Sequence, residues 1–392
     1  MVKILQQAQT PETALMTPIY LDCNATTPLD PAVRKVLLHF LDEDFGNEGS
    51  RTHAFGARAK QAVQRARDQV AAVVGARRDE VVFTSGATES NNLVILGLRA
   101  AAQAAGRRHL VTTRIEHKAV LEPCEALERA GFAVTRVPVG EGGAVDPQAI
   151  RAALRPETFL VSVMQVNNET GVRQPLDAIA EVLTGHAAWF HTDAAQGFGK
   201  DLEPLRNPRI DLISVSGHKL YAPKGVGALV VRRRGYERAP LEPLSFGGGQ
   251  ERGLRPGTLP VALIAALGQA AELAVADQAR RRAACRQLRA SALAALLPLG
   301  ARLTGDQSQV ADHVLNLAFP GLDSEALMVA LKDLVAISNG SACTSSSYVP
   351  SQVLKAMGMS DEAANGCVRM SWCHLTPAVD WGAVVARIRG LL

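Results

Sequence analysis

The chain has 392 residues, 47% hydrophobic and 20% charged, with a formal net charge of +4. That length holds two domains, and the composition buries a large core as ordinary globular proteins do. The charge is spread along the chain with only short clusters such as Arg232-Arg233-Arg234 and Arg280-Arg281-Arg282, so composition makes no case for nucleic-acid binding.

Residues 1–17 read as a loose arm without the basic-then-apolar pattern of a signal peptide. No apolar run reaches the length of a membrane span. The six cysteines at 23, 124, 285, 343, 367 and 373 form no CxxC and no regular spacing. In a chain of this size they point to a reducing cytoplasm rather than a disulfide framework.

A short strand at Tyr20 runs into a polar turn ending at Pro28, and Pro31 opens a helix where its missing N–H costs nothing. The spacing of Val63, Ala66, Val70, Val73 and Val74 predicts a helix over 54–74. Strands then alternate with helices. Strands are expected at 81–84, 109–113, 133–138, 159–164, 187–192, 210–215 and 226–231, with helices at 89–105, 119–130 and 176–184. This alternation marks an α/β fold with a mainly parallel sheet flanked by helices, whose ligands bind beyond the carboxyl ends of the strands. A Gly-rich turn, 247–257, closes the region. A long helical stretch, 259–297, leads to a smaller α+β unit with strands at 314–319, 335–338 and 368–371 and helices at 324–334 and 350–357, and a last helix closes the chain.

The polar motifs fall at the strand ends. Ser214-Val-Ser-Gly-His-Lys219 puts a lysine beside a histidine and two hydroxyls, as a Schiff-base site requires. An amine is nucleophilic only without its proton, and burial lowers a lysine's pKa. The stretch 82–91 is strand, Ser/Gly/Thr turn and helix start, a phosphate cradle to which Thr88 adds a hydroxyl, or simply a capped helix. Asp193 ends an apolar strand and needs a partner, either an arginine, the next helix, or a protonated pyridine nitrogen. Gln196 follows within reach of such a ring. His117 and Asn168 lie just beyond two further strand ends, the first able to stack and shuttle protons, the second a neutral donor. Cys343 sits among Gly and Ser, the flanks of a reachable thiol, and Arg369 is a fork for a substrate carboxylate. Each of these has a structural alternative when taken alone.

Together they resemble a family. The motifs 84–90, 116–119, 166–169, 193–196, 214–219, 247–253 and 340–345, in this order, are similar to those of the cysteine desulfurases of the nitrogen-fixation and iron–sulfur-cluster type, within the class V aminotransferase-like group. The resemblance runs from Tyr20 to about Thr376. It implies a homodimeric fold-type-I pyridoxal 5'-phosphate enzyme that converts L-cysteine to L-alanine and leaves a persulfide on Cys343. It implies that Lys219 carries the cofactor as a Schiff base, Asp193 pairs with the ring nitrogen, and Gln196 and Asn168 lie near the phenolic oxygen and substrate. His117 stacks on the ring, and Ala87, Thr88, Ser216 and His218 hold the phosphate with Thr258 from the partner subunit. Arg369 takes the substrate carboxylate. No metal is expected. The implied division is an arm and first strand (1–24) associated with the small domain, a large domain (25–258), and a bridging helix with the small domain (259–392).

Several positions depart from the housekeeping pattern: Glu48-Gly49, Pro256, Trp372-Cys-His374, and an end at Leu392 without the longer tail used towards a scaffold. The wording of 20–28, 253–258 and 337–348 is more similar to the branch that supplies sulfur for DNA phosphorothioation. The expected partner is then a sulfur-acceptor protein, with no direct contact to DNA or membrane. The alternatives are sulfur supply for iron–sulfur clusters or tRNA thiolation, another pyridoxal-phosphate lyase or aminotransferase such as selenocysteine lyase, and a non-catalytic sulfur carrier.

Overall fold

The computed structural model describes residues 17–339 and 350–392. The chain starts with strand β1 (Ile19–Tyr20), helix α1 (Pro31–Asp42) and helix α2 (Ala54–Val74). Asp30 caps α1, its carboxylate accepting from Ala32 N at 2.9 Å, and Pro31 takes the first helical position as expected. Gly75 ends α2 in the left-handed conformation (φ 68°), which a residue with a Cβ rarely adopts.

The central body follows in the order β2 (Val81–Thr84), α3 (Ala87–Gly97), α4 (Arg99–Ala104), β3 (His109–Thr113), α5 (Lys118–Arg129), β4 (Ala133–Val137), α6 (Pro147–Ala153), β5 (Thr158–Ser162), α7 (Leu176–Val182), β6 (Trp189–Asp193), β7 (Leu212–Ser216) and β8 (Gly227–Val231). These seven strands form one sheet in the order β2-β8-β7-β6-β5-β3-β4. Only β8 runs antiparallel to its neighbours. Ten residues separate β7 from β8, Gly217 to Val226, too few for a parallel crossover. Because β8 lies antiparallel between β2 and β7, those two point the same way. The ends of β2, β3, β5, β6 and β7 therefore share one edge.

Alternate residues of these strands supply two cores. Val111, Val161 and Val230 join the side packed by α2 and α8 (Val261–Ala276), while Leu110, Leu160 and Leu229 join the side packed by α3 and α5. Burial on both faces is why the strands read as apolar runs rather than alternating ones.

The sequence predicts one helix over 89–105; the structure breaks it at Leu98 into α3 and α4. The stretch 259–297 likewise divides at Asp277 into α8 and α9 (Gln278–Leu296), bent by 77°. Neither break holds a proline that would mark it in the sequence. Among the described residues no single helix is long and apolar enough to cross a membrane.

Before α8, strands β9 (Arg233–Arg234) and β10 (Glu237–Arg238) make a small hairpin. After α9, strands β11 (Arg302–Leu303), β12 (Val314–Ala318) and, after β13 (Val335–Ala336), β14 (Cys367–Ser371) form an antiparallel sheet with β12 in the middle. Its helices are α10 (Ser324–Leu331), α11 (Gln352–Ala356), α12 (Asp361–Asn365) and α13 (Trp381–Arg389). Leu315, Phe319, Val368, Met370 and Trp372 centre this second core. Strand β1 pairs with β13 and Asp22 bridges to Ser371, while the Thr27 and Asp30 N–H groups bond the His218 and Tyr221 carbonyls, so the residues after Tyr20 lie across both parts of the molecule.

Candidate active site

The strand-end edge gathers the polar motifs around an element to which the sequence assigns no role. The Asn24 carbonyl accepts from Lys219 Nζ and from Gln196 Nε2, the latter at 2.9 Å. Lys219 also donates to the Ala25 carbonyl at 2.9 Å. The Asn24 side chain donates to the Asn168 carbonyl at 3.0 Å, and Arg369 Nη1 donates to the same oxygen at 3.0 Å. Four candidates thus meet through one turn. Asn24 is itself held by its N–H on the Ser371 hydroxyl at 2.9 Å.

Asp193 ends β6 and is 5% exposed. Its hydrogen bonds come from Asn91 Nδ2 at 2.7 Å and Ala195 N–H at 2.9 Å, not from an arginine. Asn91 stands one turn into α3, so the helix that follows β2 also aims the Asp193 carboxylate. The sequence motif contains Asn91, but only the fold reveals its partner.

At the start of α3, Ala87 and Thr88 form the first turn, and Gly86 precedes it at φ 156°. A Cβ on Gly86 would lie 3.7 Å from Ser216 Oγ, so this turn and the end of β7 face one another. A Cβ on Gly227 would come within 2.6 Å of Gly86 Cα, so β8 must begin with glycine for the turn to close this tightly. His218 Nδ1 lies 3.2 Å from the Thr26 hydroxyl. Burial, followed by Lys219, Lys224 and Lys200, brings its pKa down to about 4, so it is a neutral hydrogen-bonding group at physiological pH. Ser216, His218, Ala87 and Thr88 suit a phosphate held by N–H and O–H donors at a helix start.

His117 caps α5, its Nδ1 accepting from Ala119 N–H at 3.1 Å. Asn167 Nδ2 bonds the Ile115 carbonyl at 3.0 Å, tying the β3 and β5 loops together. Arg369, on β14, is 2% exposed and gives Nη2 to Asp22 at 2.5 Å. Its Nε is buried without a partner among the described residues, as are Gln196 Oε1 and Asn24 Oδ1. These orphaned polar atoms beside Lys219 and Asp193 suit a flat, polar-edged cofactor and a carboxylate-bearing substrate. Thr258 is exposed at the end of the Gly-rich segment. Cys343 lies outside the described residues. On either side of it, Ser338 bridges to Arg369, and the Ser351 hydroxyl donates to Glu169 at 2.5 Å.

Glu116 sits fully buried beneath this edge, taking Thr113 Oγ1 at 2.7 Å and Met164 N–H at 3.0 Å. Burial pushes its carboxyl up to about 8, opposed by those hydrogen bonds and reinforced by the Asp193 charge. Its proton is held more tightly folded than unfolded, so its contribution to stability is full below the ordinary glutamate range. That contribution is lost as pH rises through about 8. Glu116→Gln is therefore expected to gain stability relative to the parent between about pH 5 and about pH 9 in urea titrations. An unchanged difference across that range would contradict a protonated Glu116.

Comparison with known proteins gives one answer. The family model described as Aminotransferase class-V matches residues 19–380. Cysteine desulfurase IscS of Methylococcus capsulatus is 47% identical over 373 residues, 95% of this chain and 92% of its own length. The crystal structure of DndA from Streptomyces lividans has a TM-score of 0.80 at 50% identity, covering 89% of this chain and 98% of that one. A structure of SspA in complex with cysteine has a TM-score of 0.79 at 36% identity, covering 90% and 98%.

Proposed function

The chain belongs to the class-V aminotransferase family and is a pyridoxal-phosphate-dependent cysteine desulfurase, and from that premise we propose how its residues divide the chemistry and where the sulfur goes. The observation that carries the residue assignment is the meeting of Lys219, Gln196, Asn168 and Arg369 at the Asn24 turn, next to Asp193.

Pyridoxal phosphate supplies an aldehyde that captures amines and a ring that accepts electron density. Lys219 Nζ is the amine that would anchor it and, as a free amine, would take the proton from the substrate Cα. Asp193, aimed by Asn91, would keep the ring nitrogen protonated. Ala87, Thr88, Ser216 and His218 would hold the phosphate, and His117 would cover the ring. Gln196 and Asn168 would orient the phenolic oxygen and substrate. Cys343 Sγ attacks the substrate sulfur; the Cβ–S bond breaks, an S–S bond forms, and the Cβ gains a proton to give alanine. Cysteine and the Cys343 thiol thus become alanine and a Cys343 persulfide, with atoms and electrons balanced. Ser338 and Ser351, which flank the Cys343 stretch in the sequence, are themselves bonded to Arg369 and Glu169.

Arg369 holds the substrate carboxylate. Arg369→Lys, which loses the planar fork, is expected to raise KM for cysteine by about tenfold or more with a smaller change in kcat. Steady-state alanine formation measures both, and an unchanged KM contradicts the assignment.

The enzyme works as a homodimer in the cytoplasm. Phe45 and Phe55 lie with ring centroids 5.4 Å apart while remaining exposed, and Phe246 is 88% exposed; exposed aromatic side chains support coverage by a second copy, which brings Thr258 to its neighbour's phosphate. The described cysteines are all free, which supports a reducing compartment. The acceptor is another protein in a DNA-phosphorothioation pathway. The wording of 20–28 and 253–258 and the 50% identity to DndA support this over iron–sulfur assembly or tRNA thiolation. A host carrying the remaining modification genes but lacking its own desulfurase tests it. Expression of this chain is expected to restore phosphorothioate dinucleotides in digested DNA, and restored cluster enzymes or thiolated tRNA without them favours the alternatives.

A further inference from the structure

Between the turn after β6 and the start of α9 lies a cavity of about 40 Å³ that the chemistry above does not use. Lys200, Tyr221, Arg281, Cys285 and His313 are among its lining residues. Space of that size takes a few waters or one compact ion.

The two acidic groups of the lining are already committed, Asp201 to Arg173 at 3.1 Å and Asp312 to Arg282 at 2.8 Å. What remains is a set of donors. The Lys200 ammonium is buried with no hydrogen-bond partner among the described residues. Arg281 is 6% exposed and gives Nη2 to Asp30 at 3.1 Å. Its Nε lies 3.8 Å from Asp277, too far for a hydrogen bond, and its Nη1 has no partner among the described residues. His313 is also 6% exposed; its Nε2 has no partner among the described residues, and burial, then Lys200, Arg173 and Arg289, keeps the ring neutral.

Nearby sulfur does not answer this charge within hydrogen-bond reach. Burial pushes Cys285 up to about 12. Cys23 is raised by its hydrogen bond to Cys373 and by burial. Cys373, the more acidic of that pair, takes its hydrogen bonds from Cys23, from the Leu375 N–H and from Thr376 Oγ1, the last at 3.7 Å, not from Lys200. A buried ammonium beside unpartnered guanidinium N–H groups is costly alone and is stabilised by an anion. Burial lowers the Lys200 pKa, and a bound anion restores the charged form.

We propose that this cavity binds one compact monovalent inorganic anion of the size of chloride or hydrosulfide. The space is too small for a phosphate ester or an amino acid, and a lining in which Lys200 Nζ and Arg281 Nη1 lack partners among the described residues while both carboxylates are paired selects negative charge. The ion bridges the β6 turn to α9 and lies behind Tyr221, two residues beyond Lys219.

Holoenzyme crystals soaked in bromide, with data collected at the bromine edge, test the site directly. A peak in the cavity within hydrogen-bond reach of Lys200 Nζ is expected. In solution, Tm of the holoenzyme should rise saturably when chloride replaces gluconate at constant ionic strength. Lys200→Met should weaken the chloride dependence by about tenfold or more. Arg281→Lys, which keeps the charge opposite Asp30, should weaken it as well and serves if Lys200→Met does not fold. Hydrosulfide in oxygen-free buffer gives the second arm. Tighter action than chloride assigns the occupant to the enzyme's own sulfur, and weaker action assigns it to ambient salt. Absence of bromide from the cavity overturns the proposal. So does an adventitious ion only, seen in the crystal with no solution effect, a Tm that follows ionic strength alone, or a foldable variant that responds as the parent does.

Discussion

Cys343→Ala is expected to remain yellow, to bind cysteine with the spectral change of the parent, and to release essentially no sulfide. The proposed assignment gives binding and cofactor capture to Lys219, Asp193 and Arg369, all of which the substitution leaves alone. The sulfur step depends on a thiol, and alanine has none. Without that nucleophile the Cβ–S bond has no acceptor for its sulfur, and sulfide release should fall by about 10³-fold or more. Alanine and sulfide measured together on the parent and variant decide it. Parental activity in Cys343→Ala would remove the persulfide route, and would favour a lyase that expels sulfur directly.

Lys219→Ala is expected to lose both colour and turnover. In the proposed assignment the amine serves twice, first as covalent anchor and then as the base at the substrate Cα, so no single neighbour replaces it. Asn24 and Ala25 hold it through backbone carbonyls, which a mutation elsewhere does not remove. A fall of about 10⁴-fold or more in alanine formation follows from losing a covalent and a general-base function together. The variant should still take up pyridoxal phosphate reversibly, through the Ala87–Thr88 turn, Ser216 and His218, without the absorbance of a lysine-bound aldehyde. A Lys219→Ala protein with the parental spectrum and rate would move the anchor to another amine.

Much of this was legible because buried parallel strands write themselves as apolar runs ending in polar motifs. Expectation and structure agree at 81–84, 109–113 and 54–74, and the other sheet strands differ by at most two residues at either end. The bend at Asp277 was not legible, since Ala- and Leu-rich sequence favours helix on both sides and says nothing of direction. Nor was the break at Leu98. The antiparallel setting of β8 was readable in principle from its short connection to β7.

In the site, residues to which side-chain chemistry is assigned here carried a signal in the sequence; those that act through backbone did not. Asn24 offers Lys219 and Gln196 a carbonyl, which any residue possesses, so its importance arises only from the path of the chain after β1. Asn91 and Glu116 stood inside motifs already singled out, yet their partner or near charge, Asp193, is about a hundred and about eighty residues away respectively. Such pairings are set by strand order, and strand order is not written locally.

Mass spectrometry of the holoenzyme after one turnover with L-cysteine, in the absence of any thiol acceptor, tests the desulfurase account most directly. One alanine per protomer and one additional sulfur atom on the peptide that contains Cys343 are expected. Alanine formed with that peptide unmodified, or the extra sulfur carried by a different cysteine, would contradict it.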